Sequence, residues 1–263
     1  TNEGNIDLNR NGWSDLSHSE TPPFAPEIAT IVHPAKCDEG WYRALSGILA
    51  DPVKCASLKA QVFRGQDTNP KGIFYGGLER AWSLLKLEEY CQQFAGTCQR
   101  LAVLDIHTGL GGFGEIFLIS SAQPGDDGLI GRVRSWFGLT PVFPKLGQTD
   151  RVNAVSSNLL FFIAQCLPKT EVTALTVEIG SIPFEESFPV FVAENCLHHH
   201  SREMAYLGQG TPRVNYDHVQ RIFQRIFYPP TFLPVFEYSR GDCWSTAARA
   251  GFMPIFRTVV SGL

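Results

Sequence analysis

Two apolar segments constrain the fold of this chain most strongly, because each carries a polar side chain shortly before a glycine. They span residues 101–109 and 174–180 and read as buried strands. Strand side chains alternate in direction, so Asp105 and His107 are predicted on one face, at the carboxyl end of the first strand. Glu178 occupies the same place in the second segment. Open α/β sheets bind ligands at this end, so the pattern predicts a site there.

Each of these side chains also has a purely structural interpretation. His107 could be a strand-end histidine with its hydrogen bonds satisfied by the protein. Glu178 could belong to a buried salt bridge, because a buried carboxylate is costly unless a cation or hydrogen bonds compensate it. Two polar groups in matching positions favour a functional site more than either does alone.

The rest of the sequence alternates between strand and helix patterns. Strands are predicted at 58–65, 101–107, 116–120 and 172–179, and helices at 41–50, 78–94, 129–137, 156–167, 190–200 and 215–227. Residues 12–34 are polar and rich in proline, and residues 66–72 are rich in turn formers, so both segments are predicted to be loops. In the helix predicted at 78–94, Trp82, Leu85, Tyr90 and Phe94 have amphipathic spacing. The alternation favours an α/β fold: a three-layer α/β/α sandwich with a mixed, largely parallel sheet.

Composition narrows the possible functions. A chain of 263 residues suits one domain spanning 1–263, and 18% charged against 44% hydrophobic residues indicates a large core. A net charge of −4 without a Lys/Arg cluster argues against nucleic-acid and membrane partners. The seven cysteines are scattered, with no C-x-x-C pair, which favours reduced thiols and a cytoplasmic location. A small-molecule or peptide substrate remains.

A third segment, together with the two strand ends, resembles the motifs of a known family. Residues 5–11 read Asn-x-Asp-Leu-Asn-Arg-Asn, and Asp-x-His-Thr-Gly at 105–109 and Thr-x-Glu-x-Gly at 176–180 follow in order. Together these motifs resemble the zinc carboxypeptidase superfamily, which includes metallocarboxypeptidases and the succinylglutamate desuccinylase–aspartoacylase group. The stretches 64–66 and 72–77 are similar to a poorly characterised bacterial branch of it.

The resemblance implies a zinc carboxypeptidase-like fold and a role for each matching residue. His107 would be a zinc ligand, and Glu178 the general base that takes a proton from water. Asn9 and Arg10 would bind a substrate carboxylate, a role that suits the planar fork of arginine. The carboxylates that orient ligand groups are expected at Asp7 and Asp105. The implied reaction is zinc-dependent hydrolysis of an amide bond next to a free carboxylate, in a peptide or an N-acyl amino acid.

The sequence departs from the family pattern in two ways. The first two zinc ligands, in an H-x-x-E motif, are expected upstream of Thr1, so the chain is expected to lack its N-terminal strand–helix units and to hold zinc weakly by itself. No tyrosine lies between His107 and Glu178, where carboxypeptidases carry one. A deacylase-like or amidase-like specificity therefore stays open beside a carboxypeptidase-like one.

Two other functions stay open from the sequence. One is a non-catalytic relative that keeps the carboxylate pocket but binds no metal. The other is a zinc-independent hydrolase that uses Cys196 or Cys243 near a histidine.

Overall fold

A computed structural model of the chain describes residues 1–12, 23–109, 115–120, 127–137, 159–180 and 182–199, with the single positions 205, 207, 219, 221 and 222. These residues form a mixed α/β fold of seven helices and three strands. The helices are α1 (Pro26–Val32), α2 (Glu39–Ala50), α3 (Pro52–Arg64), α4 (Trp82–Phe94), α5 (Asp127–Phe137), α6 (Leu159–Cys166) and α7 (Phe184–His199). The strands are β1 (Arg100–Gly109), β2 (Ile116–Ser120) and β3 (Glu171–Gly180).

The three strands form one mixed sheet with β3 in the middle. β1 pairs with β3 in parallel, and β2 pairs with β3 antiparallel. Every residue of β3 after Glu171 is buried, as the apolar sequence predicts for a central strand. The strands predicted at 101–107, 116–120 and 172–179 are confirmed.

Helices cover both faces of β3. On one face, Leu175 and Val177 pack with Leu129 and Val133 of α5. On the other face, buried residues of β3 pack with α6 and α4 in a separate cluster. This second face also carries Glu178, because side chains two residues apart in a strand share a face. The active-site candidates therefore lie on the face that α4 and α6 cover.

The largest cluster of buried side chains lies among α1, α2, α3 and α7. Its fully buried members include Val32, Leu45, Leu58 and Val192. This cluster contains no residue of the described sheet and forms a helical core of its own.

Two predictions in the first third of the chain are wrong. Residues 58–65 do not form a strand, because α3 extends through Arg64. Asp51 accepts hydrogen bonds from the first turn of α3, Pro52 occupies the start of the helix, and Leu58 and Val62 are buried on one side. The apparent alternation at 58–65 was therefore a fragment of a helical pattern. The loop predicted at 12–34 contains α1, whose apolar residues join the helical core.

The helix predicted at 78–94 is confirmed over 82–94 as α4, whereas residues 78–81 precede it, and the side of α4 that is buried is the reverse of the expected one. Trp82 and Tyr90 are 67% and 58% exposed, and Leu85 and Phe94 are exposed as well. The buried side of α4 consists instead of Leu84 and Cys91. The spacing predicted the helix correctly, but not the side that packs against α6.

The helices predicted at 41–50, 129–137, 156–167 and 190–200 correspond to α2, α5, α6 and α7, although residues 156–158 and 200 lie outside the described part. Most of the helix predicted at 215–227 also lies outside it. The loop at 66–72 is confirmed. Among the described helices, none combines the length and the apolar character needed to cross a bilayer.

Candidate active site

The polar ends of β1 and β3 meet on one face of the sheet. His107 and Glu178 are direct partners in the parallel pairing. The Nδ1 atom of His107 lies 3.7 Å from Oε2 of Glu178. On the other side of the ring, Nε2 donates to Oδ2 of Asp105 at 2.8 Å. The predicted common face of Asp105 and His107 is thereby confirmed, and the imidazole lies between two carboxylates.

The side chains of His107 and Glu178 differ in their access to solvent. The side chain of Glu178 is 6% exposed, whereas that of His107 is 32% exposed. The imidazole can therefore meet a ligand from solvent, and the carboxylate behind it is largely shielded from water. A carboxylate beside an accessible imidazole is a pair of groups that general acid–base chemistry can use.

The electrostatic setting of His107 favours positive charge. Burial by itself lowers the pKa of His107, because it disfavours the imidazolium form. The hydrogen bond to Asp105 and the negative charges of Asp105, Glu178 and Asp7 outweigh burial and raise the pKa of His107 above its ordinary value. The site therefore attracts a proton or a metal cation.

Asp7 lies in the segment before α1, and its charge adds to the negative potential at His107. The Asp7 backbone N–H donates to the Tyr75 carbonyl at 2.7 Å, which fixes Asp7 against the loop after α3. Its Oδ1 accepts from the Asn9 backbone N–H at 3.0 Å, and its Oδ2 lies 3.5 Å from Nη1 of Arg10. Asp7 thus organises the turn that carries Asn9 and Arg10.

Arg10 is held by groups of the protein. Its Nη2 donates to the Phe63 carbonyl at 2.8 Å, and its guanidinium lies 5.1 Å from the centre of the Phe74 ring. The side chain is 16% exposed. The role of Arg10 in substrate binding stays a prediction.

Asn9 contacts the start of α6. Its Oδ1 accepts from the Leu159 backbone N–H at 3.0 Å, which satisfies one of the N–H groups that the first turn of a helix leaves without an intrahelical partner. Asn9 therefore joins the N-terminal segment to the helix that covers the site face of β3. The predicted role of Asn9 in binding a substrate carboxylate stays a prediction.

Asn11 is a structural determinant of the site to which the sequence assigned no role. Its side chain is fully buried, and its Nδ2 donates to the carbonyls of Gly76 and Glu79 at 2.6 and 2.9 Å. Its Oδ1 accepts from the Ala81 N–H at 2.7 Å. Arg80 closes the connection by donating to the Asn11 carbonyl at 3.0 Å. Asn11 fixes the 7–11 turn relative to residues 76–81.

Gln66 has a similar role inside the loop that follows α3. Its Oε1 accepts from the backbone N–H groups of Thr68 and Asn69, and its Nε2 donates to the Asn69 carbonyl. Gln66 is 1% exposed. Its backbone also pairs with Tyr75, the residue that holds Asp7. Both Asn11 and Gln66 lie in motifs that carried the family resemblance, which is the signal that could have identified them.

The residues described fit one part of a zinc site. An imidazole that ligates zinc usually donates its other N–H to a carboxylate, and the bond from His107 to Asp105 has this form. Its Nδ1 atom would then be the one left for a metal, with Glu178 nearby. A catalytic zinc site needs about three protein ligands. No group of three or more His, Cys, Asp or Glu residues suited to a metal was found among the residues that the structure describes.

The described residues include one of the two cysteines proposed for a zinc-independent hydrolase, but they do not support a catalytic role for it. Cys196 is 1% exposed and its thiol donates to the Pro34 carbonyl, within the helical core. Cys243 lies outside the described residues.

Comparison with known proteins gives a family for the chain. A family model described as "Protein of unknown function (DUF2817)" matches residues 1–232. No curated protein matches the chain, and no solved structure matches it.

Proposed function

The chain belongs to the family DUF2817, and we propose that it is a zinc carboxypeptidase-like hydrolase that cleaves an amide bond next to a free carboxylate. The observation that carries the proposal is the alignment of Asp105, His107 and Glu178 at the ends of two parallel strands. An accessible imidazole and a buried carboxylate side by side are a pairing that metal-assisted hydrolysis uses.

Each residue has a distinct task in this proposal. Asp105 accepts a hydrogen bond from Nε2 of His107, which orients the ring, and Nδ1 of His107 would hold the zinc ion. Glu178, 3.7 Å from that nitrogen, takes a proton from water and delivers it to the leaving amine. The Asp7 charge adds to the negative field at the imidazole.

Bound zinc would supply Lewis-acid chemistry, lowering the pKa of water from about 15.7 toward about 7 and polarising the amide carbonyl. The protein residues contribute orientation and proton transfer. The shielding of Glu178 strengthens its interaction with charges that develop beside it, because the local dielectric is low.

The 7–11 turn is the proposed binding site for the substrate carboxylate. Arg10 would contribute its guanidinium, which the contacts with Phe63 and Asp7 orient, and Asn9 would contribute its Nδ2 group. An amide donor beside a guanidinium suits a terminal carboxylate, which accepts two parallel hydrogen bonds. The substrate class is therefore a peptide with a free C-terminus or an N-acyl amino acid.

Helices on both faces of β3 support the proposal that the complete fold is a three-layer α/β/α sandwich. Free thiols on the six described cysteines are compatible with the proposed cytoplasmic location.

The experiment is a comparison of Glu178→Gln with wild type in the full-length protein. Gln keeps the size of Glu but cannot accept the proton, so kcat should fall about 10² to 10⁴-fold while zinc content and melting temperature stay unchanged. Glu171→Gln, at the exposed start of the same strand, is the matched control and should keep full activity. Hydrolysis would be measured on an N-acyl amino acid and on a peptide, beside metal analysis.

A different result would identify a structural role for Glu178. If Glu178 only balances a buried positive charge, the Gln variant should lose roughly 3 to 5 kcal/mol of stability and keep its specific activity. If the protein binds carboxylates but neither variant nor wild type turns them over with zinc present, it is the non-catalytic relative.

A further inference from the structure

The side of α4 that faces solvent carries a group of large apolar side chains. Trp82 and Tyr90 are 67% and 58% exposed, and Leu85 and Phe94 are 44% and 43% exposed. Among the residues that the structure describes, seven large hydrophobic side chains are exposed, and these four of them lie on α4. Single apolar side chains scattered over a surface need no explanation, whereas a group on one element marks an interaction site. These four side chains form the apolar face of α4.

The apolar face has charges at its centre. Successive residues of a helix are about 100° apart, so the four apolar side chains lie within about half of the helix circumference. Lys86 and Glu89 lie between them, and Nζ of Lys86 is 2.7 Å from Oε2 of Glu89. The rings of Tyr90 and Phe94 are in edge contact, with their centres 5.0 Å apart. The face therefore combines exposed apolar groups with one positive and one negative charge.

This arrangement is complementary to itself under a two-fold axis. If the axis crosses α4 at a right angle, midway between Lys86 and Glu89, then Lys86 lies opposite Glu89 of the partner subunit. The reciprocal pair forms by symmetry. The same operation puts Leu85 opposite Tyr90 of the partner subunit, so apolar groups also meet. A parallel arrangement would instead put Lys86 opposite Lys86 of the partner subunit, and the two charges would repel.

We propose that two copies of this chain associate through the apolar face of α4, with the two helices antiparallel about a two-fold axis. The charge balance of the face favours a second copy over other partners. A strongly charged protein partner would require an excess of one sign on this face. A helix that binds an anionic lipid surface is rich in lysine and arginine. This face has one charge of each sign, which its own copy matches.

The exposed area determines how strong this association can be. Aromatic side chains bury about 150 to 250 Å² each when they are fully covered. At their exposed fractions, the four apolar side chains leave on the order of 400 to 500 Å² accessible in each copy. A dimer would therefore bury roughly 1,000 Å² in total, whereas specific interfaces of ordinary size bury about 1,600 Å². The dimer should be weak, with a Kd of about 10 to 100 μM.

Sedimentation velocity of the full chain, at concentrations of about 1 to 200 μM, tests the association. The average mass should rise with concentration from that of one chain toward that of two. Trp82→Ala should raise the Kd at least about 10-fold, because buried aromatic side chains carry much of the binding energy of an interface. Arg43→Glu is the matched control, since it breaks an exposed ion pair on α2 and also reverses a charge. It should leave the Kd unchanged.

Charge reversal tests the antiparallel arrangement. Lys86→Glu gives the face two negative charges, and Glu89→Lys gives it two positive charges, so each variant alone should dimerise at least about 10-fold more weakly. An equimolar mixture of the two variants should form a heterodimer at least as tight as the wild-type dimer, because each facing pair then has opposite charges. Loss of the ion pair within one helix cannot produce such a rescue.

The concentration series on wild type decides the matter even if a variant fails to fold, which circular dichroism would detect. A mass that stays that of one chain at the highest concentration would overturn the proposal. A dimer that Trp82→Ala does not weaken would overturn it as well, and so would a mixture of the two charge variants that stays monomeric. A monomer that instead cosediments with phosphatidylserine vesicles would also overturn it, because the face would then bind a lipid surface.

Discussion

Replacement of Asn11 by alanine is the sharpest test of how the N-terminal segment is held at the site. The Asn11 side chain makes three hydrogen bonds, all with backbone groups of residues 76–81, and it is fully buried. Alanine removes all three bonds and leaves two carbonyls and one N–H without that partner. The turn that carries Asp7, Asn9 and Arg10 then keeps only its backbone contacts with this loop, from Arg80 to the Asn11 carbonyl and from the Asp7 N–H to the Tyr75 carbonyl.

The expected loss follows from these three contacts. A typical intramolecular hydrogen bond contributes about 1 kcal/mol net, and a buried group left without a partner costs about 1 to 3 kcal/mol. The bond to Glu79 is partly buried, so water can replace it at lower cost. Asn11→Ala should therefore destabilise the protein by about 3 kcal/mol.

Urea unfolding followed by circular dichroism measures this loss. Asn2→Ala is the matched control, because the Asn2 side chain also accepts backbone hydrogen bonds, but at an exposed turn within residues 2–6. It should cost less than about 1 kcal/mol. Equal losses for the two variants, or a loss below about 1 kcal/mol for Asn11→Ala, would refute the view that this side chain anchors the segment.

Three further predictions follow from individual contacts. Arg10→Lys should raise KM less than Arg10→Ala, because lysine keeps the charge but not the two-pronged donor; equal KM values for wild type and both variants would exclude Arg10 from substrate binding. Gly65 has φ +85°, and a Cβ there would lie 2.9 Å from a backbone oxygen, so Gly65→Ala should cost about 2 kcal/mol in thermal melts. Gly47→Ala, with no atom within 4 Å of the added Cβ, should instead gain up to about 1 kcal/mol of stability. Similar melting temperatures for the two variants would contradict the strain expected at Gly65. The hydrogen bond from Lys59, opposed by burial, lowers the pKa of Glu185. The Lys59–Glu185 pair therefore stabilises the folded protein above the ordinary carboxyl pKa, and this stabilisation is lost as the pH falls through the lowered pKa. Lys59→Met should lower the free energy of unfolding by no more than roughly 1 kcal/mol at neutral pH and by almost nothing in acid, since both side chains are about a third or more exposed. A loss of stability that does not depend on pH would refute the pairing.

The sequence by itself determined those features that depend on local periodicity. Alternation along a strand put Asp105 and His107 on one face, and their 2.8 Å hydrogen bond confirms it. The apolar character of residues 172–179 correctly identified the central strand of the sheet. The same local signal was ambiguous over 58–65, where a short stretch of one helical face resembles strand alternation.

Only the tertiary structure decided which distant groups meet. The register of β1 against β3 puts His107 beside Glu178, and a shift by one residue would have turned Glu178 to the opposite face. Packing against α6 likewise decided that Trp82 faces outward, although spacing alone favoured the opposite side. Helical and strand periodicities follow from backbone geometry within a few residues, whereas register and packing depend on the summed burial of side chains far apart in the chain. The contacts of Asn11 belong to this second class.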